Sequence, residues 1–240
     1  MATSVVAAAL AAGTNSAARL GREGLVVGAV VGAVSGAVAG ANRVYDWRST
    51  RGRMSFVLDH TWALLTTTTG MLALGLNRLL GDPGLDSELS ERRNRLVHRR
   101  GFVLRRGFAV TFGYVVNGAG ASDGSMTPSR RALVEQHEDV HVWQARTLGP
   151  LYAVGYVSWT VVGAMVATGS WIMRRPGPSL VRRVDAYAYY RNPFEWYAYS
   201  RDGNWPPRAV EATRVWRRPF PVSNGRATVR ESSGNPTAPR

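Results

Sequence analysis

TPSRRALVEQHEDVHVWQARTLGP, residues 127–150, is the stretch on which the reading of this chain turns. Thr127 is a good N-cap and Pro128 suits the first helical position. Gly149 followed by Pro150 marks the other end. Between them Leu133, His137, Val140, His141, Gln144 and Leu148 fall on one face of a helix. His137, Glu138 and His141 spell HExxH. Histidines four apart point the same way, so both imidazoles can reach one Zn²⁺ at about 2.0–2.1 Å. Glu138, next to the first ligand, stands where it can take a proton from a bound water. The whole chain has only four histidines, and two of them are here.

A catalytic zinc needs a third protein ligand and an open position. His60 and His98 lie far upstream, and Glu195 is the better candidate. Asn192 and Pro193 look like an N-cap and a first helical residue, which puts Glu195 in the first turn of a further helix. The same Asn-x-x-Glu spacing also serves as a capping box, and a first-turn Glu suits the helix dipole. Asp139 and Gln144 are expected beside the ligands as hydrogen-bonding partners of the imidazoles.

Composition narrows the rest. The 240 residues carry a formal charge of +14, and every basic residue is Arg. Such a charge suits nucleic acid or an anionic membrane surface. The Arg pairs at 92–93, 99–100 and 105–106 come without a nucleic-acid recognition fold, whereas the apolar stretches favour lipid, so no nucleic-acid partner is expected. With no Cys, disulfides and thiolate metal sites are excluded.

Leu25 to Ala41 is uncharged and spaces Gly28, Gly32, Gly36 and Gly40 four apart, a pattern that lets a second membrane helix approach closely. It predicts a membrane helix and, through those glycines, a homo-oligomer. A basic connector with Arg43, Arg48, Arg51 and Arg53 follows, then a second apolar stretch, Phe56 to Leu80. The two stretches are expected to form a hairpin whose connector faces the cytoplasm. Glu88 to Arg100 reads as a short helix, and Phe102–Leu104 with Phe108–Val116 as a β-hairpin around an Arg-Arg-Gly turn. The fold class expected is therefore α+β, a minidomain of β-hairpin and HExxH helix attached to an N-terminal hydrophobic helical hairpin. Residues 1–81 form the membrane-associated region, 82–202 the metal-binding domain, and 203–240 a basic Pro/Gly-rich disordered tail with a short helix over 209–216.

HEDVHVWQ, the Leu-Gly-Pro turn with its apolar sequel, and the downstream NPFExxAY together resemble a poorly characterised group of bacterial HExxH membrane proteins, related to the zincin-like metallopeptidases whose third ligand is a downstream Glu. The resemblance covers Phe102 to Tyr199. It implies Zn²⁺ held by His137, His141 and Glu195, Glu138 as general base, and a strand within Phe108–Val116 that offers its edge to an extended peptide. It places the chain at the bacterial cytoplasmic membrane. Asp139 departs from the pattern, since that position is usually uncharged in active members.

Two functions are compatible with these residues. One is a membrane-associated zinc metallopeptidase acting on a peptide or protein. The other is a non-catalytic scaffold that oligomerises through the glycine ladder and binds metal or a partner. One conflict remains inside the sequence. Leu151 to Met173 is long enough to cross a bilayer, yet a single crossing would part Glu195 from His137 and His141. Its glycines suggest that it folds back as two short helices, with Arg146 and Arg182 on the same side.

Overall fold

The computed structural model describes residues 1–202 apart from 20, 82, 122 and 175–177. The expected tail 203–240 and its short helix lie outside the described residues. The described residues are mostly helical, with one small mixed sheet among them.

Helix α1 (Ala2–Ala17) packs along α2 (Gly21–Ala41). The glycine ladder is the seam. A side chain added at Gly28 would strike Asn15 and the Ala11 carbonyl; one at Gly32, the Ala7 carbonyl; one at Gly36, the Thr3 carbonyl; one at Gly40, the Thr3 hydroxyl. The hairpin partner of α2 is thus α1, not the Phe56–Leu80 stretch. Small residues on α1, Thr3, Ala7 and Ala11, match the glycines in depth. The ladder expected to bind a second copy is occupied within the chain.

Phe56–Leu80 is interrupted. Helix α3 (Thr50–Asp59) is capped by the Ser49 hydroxyl, which accepts from Gly52 N. The chain turns at His60 before α4 (Leu64–Leu80) begins. Three buried polar bonds hold the break. The His60 ring meets the Phe56 carbonyl at 2.7 Å and the Ser35 hydroxyl of α2 at 3.0 Å. The Thr67 hydroxyl donates to the Asp59 carbonyl at 2.6 Å.

Helix α5 covers only Ser87–Ser90, started by the Asp86 carboxylate accepting from Leu89 N. The rest of the charged stretch is not helical. Leu96–Val97 form strand β1, both residues fully buried, lying parallel to β3 (Val115–Asn117). Strand β2 (Val110–Phe112) pairs antiparallel on the other side of β3, giving the order β1-β3-β2. The hairpin therefore turns at Gly113–Tyr114, where Gly113 takes φ +58°, and not at the Arg-Arg-Gly segment. Phe102–Leu104 is not a strand. Its backbone is taken by side chains: Phe102 N donates to Asn77 Oδ1 at 2.7 Å, and Asn117 Nδ2 donates to the Phe102 carbonyl at 3.1 Å.

The motif helix runs as α6 (Pro128–Ala132), a π-helical turn (Leu133–Glu138) and α7 (Asp139–Leu148). Thr127 caps it by accepting from Arg130 N, and Gly149 ends it at φ +54°. Helix α8 (Pro150–Met173) follows as one unbroken rod of 24 residues. The expected pair of short helices is not formed, because Gly155 and Gly163 serve close packing rather than a bend. A return leg comes back along α8: α9 (Leu180–Val184), a second π-helical turn (Asp185–Tyr190) and α10 (Pro193–Asp202). Arg183 donates to Ser170 Oγ at 2.6 Å, a side chain at Gly163 would strike the Tyr187 carbonyl, and Phe194 lies against Gly155. The chain reaches Glu195 beside the start of α8 whether or not α8 crosses a bilayer.

One core joins the two regions divided at 81/82. Ala39, Val44, Tyr45 and Phe56 pack with Leu89, Leu96, Tyr114, Val115, Val134 and Val142. At its edge the buried Arg146 of α7 grips Asp59 of α3 through Nε at 2.9 Å and Nη2 at 2.6 Å, while Tyr45 donates to the same carboxylate at 2.7 Å. Helices α2 and α8 are long and apolar enough to cross a membrane.

Candidate metal site

His137 is the last residue but one of the π-helical turn and His141 sits in the first turn of α7. Such a turn widens the helix locally and recurs at functional sites. Glu195 arrives from α10. Asn192 caps that helix, its Oδ1 accepting from Phe194 N at 3.1 Å, so the Glu195 side chain is free of capping duty and turns toward the histidines.

The three side chains converge: one ligand atom from each lies within 4.8 Å of the others, and the two Glu195 oxygens face different histidines, Oε2 toward His137 and Oε1 toward His141. His137 Nε2 and His141 Nε2 are 3.3 Å apart, and each lies 3.4 Å from an oxygen of Glu195. A tetrahedral ion with bonds of about 2.0–2.1 Å spaces its ligand atoms about 3.3–3.4 Å apart. All three residues are buried.

The atoms facing away from that point are already engaged. Asp202 takes the Nδ1 proton of His137 at 3.1 Å. Gln144 donates its amide to the Phe194 carbonyl at 3.1 Å, which turns its oxygen toward His141 Nδ1 at 2.8 Å. With a proton on each Nδ1, both Nε2 atoms face the same spot, where a proton or a metal cation can sit between them. Glu195 Oε1 accepts from the Tyr156 hydroxyl at 2.7 Å, whereas the buried Oε2 faces His137 Nε2 at 3.4 Å and has no closer hydrogen-bond partner among the described residues. The residues present fit a divalent metal: a buried His137–His141–Glu195 group could hold one ion.

Electrostatics agree. Burial opposes a charge on His137, but the Asp202 and Glu195 carboxylates outweigh it and push the imidazole up to about 10. Burial likewise works against an ionised Glu195, and His141 and His137 outweigh it, holding the carboxyl well below its usual range. The cluster attracts positive charge, and a divalent ion and ligand protons compete for it.

Glu138 is buried beside the three side chains, and its Oε2 accepts from the Thr111 hydroxyl of β2 at 2.7 Å. It bears electrostatically on both imidazoles. β2 is an edge of the sheet, as the order requires. Of the two residues expected to support the ligands, Gln144 bonds His141. Asp139 does not bond an imidazole; its carboxylate pairs with Arg95 and, at 3.3 Å, with Arg51. It sits one position round the helix from the ligands, facing those two cations.

Three contributors are absent from the sequence reading. Asp202 is the last residue of α10, seven past Glu195, with no local pattern to mark it. Tyr156 and Tyr152 lie in the apolar stretch that hydropathy assigns to lipid, yet Tyr152 is buried with its hydroxyl 3.3 Å from His141 Nδ1. Only their spacing, one helical turn apart on the face of α8 that is not exposed, hints at them. Comparison of the chain with protein-family models, curated proteins and solved structures finds no match.

Proposed function

We propose that this protein is a membrane-associated zinc metallopeptidase, related to the zincin-like enzymes, in which His137, His141 and Glu195 hold Zn²⁺. The observation that carries the proposal is the buried convergence of His137 Nε2 and His141 Nε2, 3.3 Å apart, with one Glu195 oxygen 3.4 Å from each, the histidines having their outer nitrogens already bonded. The all-nitrogen-and-oxygen donor set suits zinc. When bound, zinc supplies a Lewis acid that polarises a substrate carbonyl and makes a water more acidic. Glu138 acts as the base: it takes a proton from the attacking water and passes it to the leaving amine. The Thr111 hydroxyl holds one carboxylate oxygen in place and leaves the other for that proton. Asp202 and Gln144 fix the imidazole tautomers, and Tyr156 orients Glu195. Two helices apolar enough for a membrane and exposed Arg side chains support attachment to anionic lipid. Substrate is a peptide or protein segment.

Replacement of Glu138 by Gln tests the assignment. The variant should retain zinc and lose hydrolysis of a quenched peptide library by about 100-fold or more. Loss of metal as complete as in His137→Ala, or unchanged turnover, overturns it.

A second reading rests on one observation: His137, Glu138, His141 and Glu195 are each only 3–4 % exposed. A shut site suits a non-catalytic metal that braces a scaffold. In that case metal removal lowers stability and no peptide is cleaved by the wild type. Oligomerisation through Gly28, Gly32, Gly36 and Gly40 would first have to displace α1.

A further inference from the structure

Helix α8 has two unlike sides. Tyr152, Gly163 and Ala167 are buried, Tyr152 against Phe194 and Gly163 against Tyr187 of the return leg. On the other side Leu151, Val154, Val157, Val161, Met165 and Ile172 are each more than half exposed. They form an apolar strip along the helix, interrupted by the exposed Ser158 and Thr168.

At about 1.5 Å per residue α8 measures ~36 Å, enough to cross a bilayer. The return leg argues against a crossing. Arg183 stands level with Ser170 and Tyr187 level with Gly163. Asp185 therefore lies between those levels, within two turns of the middle of α8. It pairs there with Arg105, from the loop between β1 and β2, at 3.3 Å. The two side chains are 55 % and 33 % exposed. Arg191 lies further back along the leg, its guanidinium 4.2 Å from the centre of the Tyr187 ring. A crossing hairpin would set this open ion pair and these arginines in hydrocarbon, where charged groups are rare and enclosed by protein.

We propose that α8 lies in the plane of the membrane interface, with its apolar strip among the acyl chains and the return leg facing water, and does not cross. Arg105, Arg174, Arg182, Arg183 and Arg191 then stand at headgroup level, where anionic lipid matches their charge. The metal group, tied to the first turns of α8 by Tyr152 and Tyr156, lies about one helix diameter, ~10 Å, above the strip. If the peptidase reading holds, the substrates within reach are polypeptide segments lying on or emerging from the membrane surface. The orientation of α8 itself rests only on membrane attachment.

The chain has no native Cys, so single thiols report cleanly. All positions chosen are exposed: Thr147→Cys and Arg182→Cys for labelling with an impermeant maleimide, and Val154→Cys, Val161→Cys and Ile172→Cys for nitroxides. The protein is reconstituted in sealed phosphatidylglycerol–phosphatidylethanolamine vesicles. The expected result is that positions 147 and 182 label from the same side, and that the three nitroxides report one depth by oxygen and nickel collision. Labelling from opposite sides, or a nitroxide at 161 much deeper than those at 154 and 172, overturns the in-plane helix alone. Failure to float with the vesicles overturns it together with the membrane part of the proposed function, and leaves the zinc assay to judge the rest.

Discussion

His137 and His141 each have one ring nitrogen committed before any ion arrives, and that commitment sets what single substitutions should do. Asp202→Asn removes the carboxylate behind His137 while leaving all three ligands in place. Metal affinity should fall about 10–100-fold, as for other partners of ligating histidines, read by competition with a chelating dye; an unchanged affinity would remove Asp202 from the site. Protons compete for the same cluster. His137 without metal holds its proton up to about 10, so it is protonated at neutral pH and binding must expel that proton. Affinity should therefore weaken as pH falls from 8 to 6, with proton release visible by calorimetry in buffers of different ionisation enthalpy. Affinity that did not change with pH would contradict the ligand assignment. The ligand trio was legible because its elements are local: an i, i+4 pair on a capped helix and a Glu just inside another cap. Asp202 and Asp139 were not legible, because what decides their roles is which distant residue faces them, His137 in one case and Arg95 with Arg51 in the other.

Among the elements, the ends of the motif helix were readable and its interior was not. Thr127, Pro128 and Gly149 state the boundaries, but nothing local announces the π-helical turn that carries His137 and Glu138. Strand β1 was hidden for a related reason: Leu96 and Val97 sit between charged residues, and only their burial against β3 makes them a strand. The ladder showed that a helix would come close, and not which one. Gly32→Leu should drive α1 off α2, because the added side chain meets the Ala7 backbone. A lowered melting temperature in detergent and proteolysis within residues 1–20 are expected; neither would be seen if the ladder faced solvent or lipid. Where α3 meets α7, Arg146→Met leaves the buried Asp59 carboxylate without its cation and should cost about 3–5 kcal/mol in denaturant unfolding. A loss below about 1 kcal/mol would mean that the pair is not buried in solution.

At the scale of the whole molecule, two separate lengths of chain must come together for there to be a site at all. The HExxH helix precedes α8, Glu195 follows it, and the return leg closes the distance. Sequence alone set the apolar stretch and the NPFE pairing against each other, since hydropathy describes one helix and says nothing of the segment that packs back along it. The return leg also holds the metal group against the buried face of α8, opposite its exposed apolar side. The proposed activity depends on that closure producing a real metal site. The direct test is metal analysis of the full chain, expressed without a His tag and purified without chelator, beside His141→Ala and Glu195→Gln. Wild type should carry about one equivalent of zinc per chain, with an absorption edge fitted by two imidazole nitrogens and carboxylate oxygen at about 2.0–2.1 Å, and each variant should lose most of it. Wild-type protein with less than about a tenth of an equivalent after zinc is offered and excess removed, or a variant that binds as well as wild type, would contradict the account.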